Sequence, residues 1–272
     1  GAIAFDARIL SILTATKEVS IRTIEGRERI AFSAGDHQID LLKHPTGEAD
    51  LVYRDTKFYL LVTVTLPDVE IEPETAVLGV DLGIVNIAAD SDGTIYSGAK
   101  RDERRQFYER RRQGLQRMGT RSARRRLKKL SKSQKNFQRN ENHSIAKHIV
   151  EAACEGTKRA IALENLSGIR ARTTVSRKQR SRHSNWSFFQ LRTFIDYKAQ
   201  MRGIRVVLVD PRNTSRECPC CGHIDKKNRP SRDTFRCRAC GYAKHADVVG
   251  AMNVSNRGAA VNLPMVSASV AR

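Results

Sequence analysis

Apolar and polar positions alternate in the strand manner through the first quarter of the chain. The clearest segments are Arg8-Ile-Leu-Ser-Ile-Leu13, Val19-Ser-Ile-Arg-Thr-Ile24 and Phe58-Tyr-Leu-Leu-Val-Thr-Val-Thr-Leu66. Glu25-Gly26 and Pro45-Thr-Gly47 punctuate them as turns. This pattern predicts a small β-barrel or sheet domain over residues 1–75, closed by an acidic, proline-bearing linker from Pro67 to Pro73. From Ala76 the period changes. Val77-Leu-Gly-Val-Asp81 reads as a short buried strand, with further strands around Ile87–Ala89 and Thr94–Ser97. A long helix is expected from Asp102 to Leu130 and a second from Ser144 to Glu155. Arg159-Ala-Ile-Ala-Leu-Glu164 is another apolar strand ending in an acid, and Ile204–Asp210 is the next strand. Between them lies a basic, loop-like stretch over 170–183. It is followed by a helix from Trp186 to Met201 whose Trp186, Phe189, Phe194, Tyr197 and Met201 approximate one stripe. A short helix is expected over His245–Val254. Strand and helix therefore alternate in a layered α/β order, and no internal repeat is apparent.

Charge narrows the partners. The 272 residues hold 49 Lys and Arg against 29 Asp and Glu, leaving +20. A charge of that size repels itself and favours a polyanion. No apolar run approaches the ~18 residues of a spanning helix, and the longest basic segment lacks a broad apolar face, so nucleic acid is preferred to a membrane surface. The chain opens on Gly1 rather than Met, which reads as a processed end, a cloning scar or an internal cut. No charged segment followed by an apolar one marks a signal peptide.

Residues 101–140 contain 16 Lys or Arg and three acids. These cations do not keep to one helical face, which predicts a phosphate-lining helix rather than an amphipathic core helix. The candidate contacts are Arg104, Arg105, Arg111, Arg112 and Arg117, then Arg124, Arg125 and Lys128. About eight such contacts would give a log–log salt slope near −7. A second patch, with Arg170, Arg172, Lys178, Arg180 and Arg182 and no acid, reads as a loop over the nucleic-acid cleft. Trp186, Phe188 and Phe189 are better explained by core packing than by base stacking.

Five of the six cysteines fall between 218 and 240. Cys218-Pro-Cys-Cys221-Gly and Cys237-Arg-Ala-Cys240-Gly, with fifteen residues between Cys221 and Cys237, make two knuckles, each with a glycine permitting the turn. Four thiolates at this spacing predict one structural Zn2+ in a zinc ribbon, and such clustering points to metal in a reducing compartment. A closed site of this kind folds a segment and does no chemistry; in small peptides it supplies on the order of 10–16 kcal/mol. Cys220 is left unligated, because Cys221 precedes its glycine as Cys240 does. Cys154 reads as a buried helix residue. The basic loop within the ribbon, Lys226-Lys227-Asn228-Arg229 and Arg232, is a candidate phosphate contact.

Asp81 and Glu164 each end an apolar strand, where an ionised carboxylate loses hydration unless it finds a partner. Divalent metal is such a partner. Two-metal nucleases gather carboxylates around ions ~3.5–4 Å apart. Asp247 is the natural third ligand, on a helix start whose Ala246, Gly250 and Ala251 permit close approach to a sheet. Each acid alone reads as a cap or a surface residue; it is the set, in this element order, that suggests catalysis. Asp90 and Asp92 look like turn residues, and Asp210 is a possible auxiliary.

Several stretches resemble the TnpB family of transposon-encoded RNA-guided nucleases, which are related to the type V CRISPR effectors. They are Gly79-Val-Asp81-Leu-Gly83, Leu163-Glu164-Asn-Leu166, Thr214-Ser-Arg-Glu-Cys218-Pro-Cys-Cys221-Gly, Phe235-Arg-Cys237-Arg-Ala-Cys240-Gly-Tyr and His245-Ala-Asp247-Val-Val-Gly-Ala-Met-Asn253. The resemblance implies an α/β fold: an RNase H-like (RuvC) nuclease domain with an inserted zinc ribbon, preceded by a small β-barrel-like domain that holds guide RNA and target DNA. The expected division is 1–75, 76–216, 217–242 for the ribbon, and 243–272. Asp81, Glu164 and Asp247 would be the catalytic ligands of two Mg2+ or Mn2+ ions, Asp81 bridging both. The implied activity is RNA-guided DNA cleavage in a prokaryotic cytoplasm. A nuclease-inactive RNA-guided repressor and a strand-transferring transposase are the alternatives. Two departures stand out: the usual helical recognition region and first barrel strands do not precede this segment, and Val249 stands where many members have Asn.

Overall fold

A computed structural model describes residues 2–71, 76–167 and 188–262. The predicted loop contacts Arg170, Arg172, Lys178, Arg180 and Arg182, and Trp186, lie outside the described residues. The chain divides into two compact units, Gly1–Asp68 and Val69–Arg272.

The first unit is built from two antiparallel three-stranded sheets. One contains β1 (Ala2–Phe5), β5 (Thr46–Arg54) and β6 (Lys57–Val64), in the order β1-β5-β6. The other contains β2 (Leu10–Leu13), β3 (Glu18–Thr23) and β4 (Gly26–Ala31), in that order. A six-residue helix, α1 (Asp36–Leu41), connects the two. Leu10, Val19, Ile21 and Ala49 form the shared core, flanked by Phe5, Ile12, Phe32, Leu60 and Val62. The expected small β-barrel is not what forms: among the described residues no strand of one sheet pairs with the other. Alternation marks a strand's buried face but leaves open which edges will pair, and β4, exposed along its whole length, ends its sheet in solvent.

The second unit is organised on a five-stranded sheet of order β11-β10-β7-β8-β9. Its strands are β7 (Val77–Asp81), β8 (Asn86–Asp90), β9 (Ile95–Ser97), β10 (Ala160–Glu164) and β11 (Val206–Val209). β7, β8 and β9 form an antiparallel meander, and β10 runs parallel to both β7 and β11. β7 and β10 are apolar at nearly every position because both their faces are covered.

Leu78, Val80, Ile161 and Leu163 meet Ile149, Ala153, Leu191 and Ile195 on one face. These come from α3 (Arg121–Cys154) and α4 (Phe188–Gln200). The opposite face receives α5 (Ala246–Asn262), where Val254 packs with Val77, Ala162 and Val209. That crossing is close. A Cβ on Gly79 would lie 2.1 Å from the Ala251 carbonyl oxygen and 2.4 Å from the Ser255 nitrogen. Ser255 Oγ donates to the Val77 carbonyl at 2.6 Å, pinning helix to strand.

Three helical expectations are corrected. The charged segment is a hairpin of α2 (Ala99–Met118) and α3, broken at Gly119 rather than after Leu130. Gly119 adopts φ 63°, a left-handed C-terminal cap, and the Thr120 side chain accepts from the Ala123 N–H at 3.1 Å to restart the helix. In α4 the buried row is Leu191, Ile195 and Ala199, whereas Phe189, Tyr197 and Met201 are exposed, so the aromatic stripe is not the core face. The last helix runs on to Asn262, eight residues beyond the expected end at Val254.

Candidate functional site

Leu163 lies opposite Val80 in the parallel pair, so Asp81 and Glu164 emerge side by side where β7 and β10 end. α5 brings the third acid, with Asp247 in its first turn. A carboxylate is favoured there by the helix dipole. One turn further, Gly250 faces Asp81: a Cβ there would stand 3.0 Å from Oδ2 and 3.3 Å from Cγ.

The three carboxylates differ in what they receive. Among the described residues, no hydrogen bond is made to the Asp81 side chain. Burial, then the Glu164 charge, then the Asp247 charge push Asp81 up to about 8, while the Arg229 guanidinium acts in the opposite direction. Glu164 is also raised by burial, offset by the Thr214 hydroxyl and the Arg257 charge. Thr214 Oγ1 donates to Glu164 Oε1 at 2.5 Å. Asp247 accepts from Asn86 Nδ2 at 2.9 Å through Oδ2, and from Arg229 at 3.0 Å through Oδ1.

The ribbon lies against this site. Cys218 and Cys240 sulfurs are 3.6 Å apart, as are those of Cys221 and Cys237, and all four lie within 4.8 Å of one another. Four sulfurs at ~2.3 Å from a tetrahedral zinc would be ~3.8 Å apart, so the quartet can hold one ion, and the separations are far too long for disulfides. Gly222 and Gly241 take φ 71° and 76° and donate back to the Cys218 and Cys237 carbonyls at 2.9 and 3.1 Å, closing each knuckle. Asn228, fully buried, ties the knuckles together. Its Nδ2 donates to the Arg216 and His223 carbonyls, and its Oδ1 accepts from the Arg238 N–H. Phe235, Cys218 and Cys237 pack on Ala246 and Val249 of α5. A valine at 249 thus seals the ribbon onto the helix. Cys220 is exposed and outside the quartet, and Cys154 packs at the margin of the main core.

Among the described residues, those four cysteines are the only group of three or more ligand side chains drawn so tightly together. Asp210 accepts from the Arg212 N–H within its own turn. Asp90 accepts from the Thr94 N–H at the β8–β9 turn, and Asp92 pairs with Arg159. Of the ribbon cations, Arg229 reaches Asp247, while Lys226, Lys227 and Arg232 stay exposed.

On the α2–α3 hairpin, Arg105 is paired with Asp102 and Glu109, and Arg112 donates to Gln134. Arg104, Arg111, Arg117, Arg124, Arg125 and Lys128 are exposed. Asn86 and Thr214 are site residues that the pattern of the chain did not single out for these roles, whereas Gly250 permits the close approach expected of it. Asn86 opens the strand returning from Asp81, and Thr214 lies four positions before the first ribbon cysteine.

The sheet order and the helices on both its faces make the second unit a mixed α/β fold. The fold superposes on Cas12f1 in the cryo-EM structure of the Cas12f1–sgRNA–target DNA complex with a TM-score of 0.56. That match covers 94% of this chain and 66% of that one at 16% identity. Residues 60–170 match the family model described as a probable transposase (OrfB, IS605), and residues 188–254 match the TNB domain of Cas12f1-like proteins. The chain belongs to the TnpB family.

It is 32% identical over 266 residues to the CRISPR-associated endodeoxyribonuclease Cas12f1 of Syntrophomonas palmitatica, covering 90% of this chain and 51% of that protein. It is 28% identical over 224 residues to the putative RNA-guided DNA endonuclease InsQ of Escherichia coli K12, covering 75% and 55%. The chain thus spans about half the length of the curated relatives it matches.

Proposed function

We propose that the chain is the nuclease portion of an RNA-guided endonuclease that hydrolyses DNA phosphodiesters, with Asp81, Glu164 and Asp247 holding two divalent ions, Mg2+ or Mn2+. The observation that carries this reading is the meeting of three acids where β7 and β10 end and α5 begins, with the half-buried Asp81 pushed up to about 8 by burial and by the other two. An all-carboxylate donor set suits hard divalent cations, which relieve that repulsion. When bound, such ions lower the pKa of water and neutralise the charge that builds on phosphate.

The protein groups divide the work. Among the described residues no hydrogen bond occupies the Asp81 carboxylate, so both its oxygens would be available to an ion. Glu164 has Oε1 engaged by Thr214 and retains Oε2 for a ligand role, whereas Asp247 has Oδ2 engaged by Asn86 and Oδ1 by Arg229, so the Arg229 guanidinium would have to yield Oδ1 to an ion. Arg229 sets a cation at the rim of the triad, and the exposed face of the α2–α3 hairpin supplies phosphate contacts. A guide RNA and a target DNA are the proposed partners, supported by what the relatives' names state and by a net charge of +20. The proposed division assigns 1–75 to guide and target binding, 76–216 and 243–272 to the nuclease domain, and 217–242 to the ribbon. No helix among the described residues is long and apolar enough to cross a membrane.

The decisive experiment is Asp81→Ala with guide, DNA substrate and Mg2+. Cleavage should vanish while DNA binding stays near wild type. Cleavage at the wild-type rate would overturn the assignment, and joined rather than cut products would replace hydrolysis with strand transfer.

A further inference from the structure

We infer that Thr214 is a positioning residue for Glu164, held in place by Asn253 of the same helix that carries Asp247. This rests on the metal-site reading above and adds a device for presenting one of its ligands.

Thr214 is only 3% exposed, yet it lies in the irregular segment between β11 and the first ribbon cysteine. Its Oγ1 sits 2.5 Å from Glu164 Oε1 and 3.0 Å from the Pro211 carbonyl. A hydroxyl has a single proton to donate. The carboxylate is the stronger acceptor and the nearer one, so the proton goes to Glu164. One oxygen of Glu164 is thereby fixed and the other is left for a ligand role. Without the hydroxyl, a glutamate with three rotatable bonds at a strand end has nothing else among the described residues to hydrogen-bond its carboxylate.

The hydroxyl is placed by α5. Asn253, also 3% exposed, spends both amide protons on this segment, donating to the Thr214 and Glu217 carbonyls at 2.7 Å each. One turn on, Arg257 donates to the Asp210 and Arg212 carbonyls at 2.7 Å and pairs with Glu217 at 2.6 Å. One rigid helix thus presents two acids: it carries Asp247 directly, and it reaches Glu164 through Asn253 and Thr214, with Arg257 holding the same segment. Neither Thr214 nor Asn253 needs to touch the reacting atoms. Supporting residues of this kind typically change metal affinity 10- to 100-fold.

The test uses the full zinc-loaded chain, with Mn2+ as the probe, followed by calorimetry, and zinc content as the measure of folding. Thr214→Val, which keeps the shape and loses the hydroxyl, should weaken Mn2+ binding by about tenfold with zinc content unchanged. Thr214→Ser should restore binding to within about twofold of wild type, since the hydroxyl is returned. Asn253→Asp should match the loss in Thr214→Val, and the double variant should be no worse than either alone, as expected for one relay. Should the valine disturb packing and release zinc, Thr214→Ala carries the same expectation.

Wild-type Mn2+ affinity in a zinc-loaded Thr214→Val or Thr214→Ala variant would overturn the inference. So would a serine variant as impaired as the valine one. Asp81→Ala separates the two levels. If it keeps Mn2+ binding, the metal site itself is misassigned; if it loses binding while Thr214→Val retains it, only the role of Thr214 fails.

Discussion

Gly250 faces Asp81 so closely that a methyl group in place of its hydrogen would stand 3.0 Å from Oδ2. The helix carrying one acid therefore uses its nearest small residue to make room for another. Gly79, beneath the same helix, differs in what it meets: backbone of Ala251 and Ser255 at 2.1 and 2.4 Å. A side-chain end can move a few tenths of an ångström, but a helix backbone packed on a sheet cannot. Gly79→Ala should therefore destabilise by at least ~3 kcal/mol, beyond ordinary overpacking, as read by denaturant unfolding. Gly250→Ala should keep the fold and most of the stability while cutting cleavage by about tenfold or more, the scale of a misplaced catalytic group. Wild-type cleavage in Gly250→Ala would show that the Asp81 position is not critical.

The raised Asp81 fixes a pH dependence. Its folded-state pKa of about 8 lies above the ordinary 3.8, so between those values the folded chain binds the extra proton. Metal-free stability should therefore fall as pH rises from about 4 to about 8. Asp81→Asn removes this penalty. Its melting temperature without divalent ions should exceed wild type at pH 8 by on the order of 5 °C, and the gap should close near pH 4. Arg229→Ala withdraws the cation that holds Asp81 down, so the loss should extend to higher pH. A pH-independent difference between Asp81→Asn and wild type would contradict the assigned environment.

The quartet of sulfurs makes a sharp contrast between neighbouring cysteines. Cys237→Ser should lose zinc and, with it, the packing of Phe235 on Val249 and the approach of Arg229 to Asp247. Cys220→Ser should leave zinc content, stability and cleavage unchanged, since Cys220 stands outside the quartet and in solvent. Zinc analysis with a thermal melt reads both.

The hairpin geometry revises the expected salt dependence. Arg105 and Arg112 are engaged within the hairpin, leaving six of the eight candidate contacts exposed. The log–log slope for duplex DNA should then be about −5 rather than −7 for this surface. Arg124→Ala with Arg125→Ala should flatten it by about two units, whereas Arg105→Ala should chiefly loosen α2 against its own acids. Binding titrations at several salt concentrations distinguish the two kinds of arginine.

Legibility followed physical contrast. Asp81 and Glu164 stood out because an ionised side chain ending an apolar strand is anomalous, and the cysteines because their spacing has a single geometric solution. Asp247 followed from the small residues around it, whose purpose is visible at Gly250. Asn86 and Thr214 were silent: a neutral hydrogen-bonding residue at a strand or loop boundary breaks no pattern. The break at Gly119 was missed because cations on every face of α2 and α3 erase the helical period. In α4, ring size drew attention to Phe189 and Tyr197, although Leu191, Ile195 and Ala199 mark the buried row at intervals of four. The first unit's strands were readable by alternation, but strand pairing depends on edges that alternation does not encode.

Asn86 and Asp247, joined by one hydrogen bond, are 161 positions apart in the chain. A ribosome adding ~5–20 residues each second makes the first of them some ~8–30 s before the second. Throughout that interval the growing polypeptide carries Asp81 without the helix that completes its surroundings. The three acids can therefore come together only once the ribbon and α5 have left the exit tunnel.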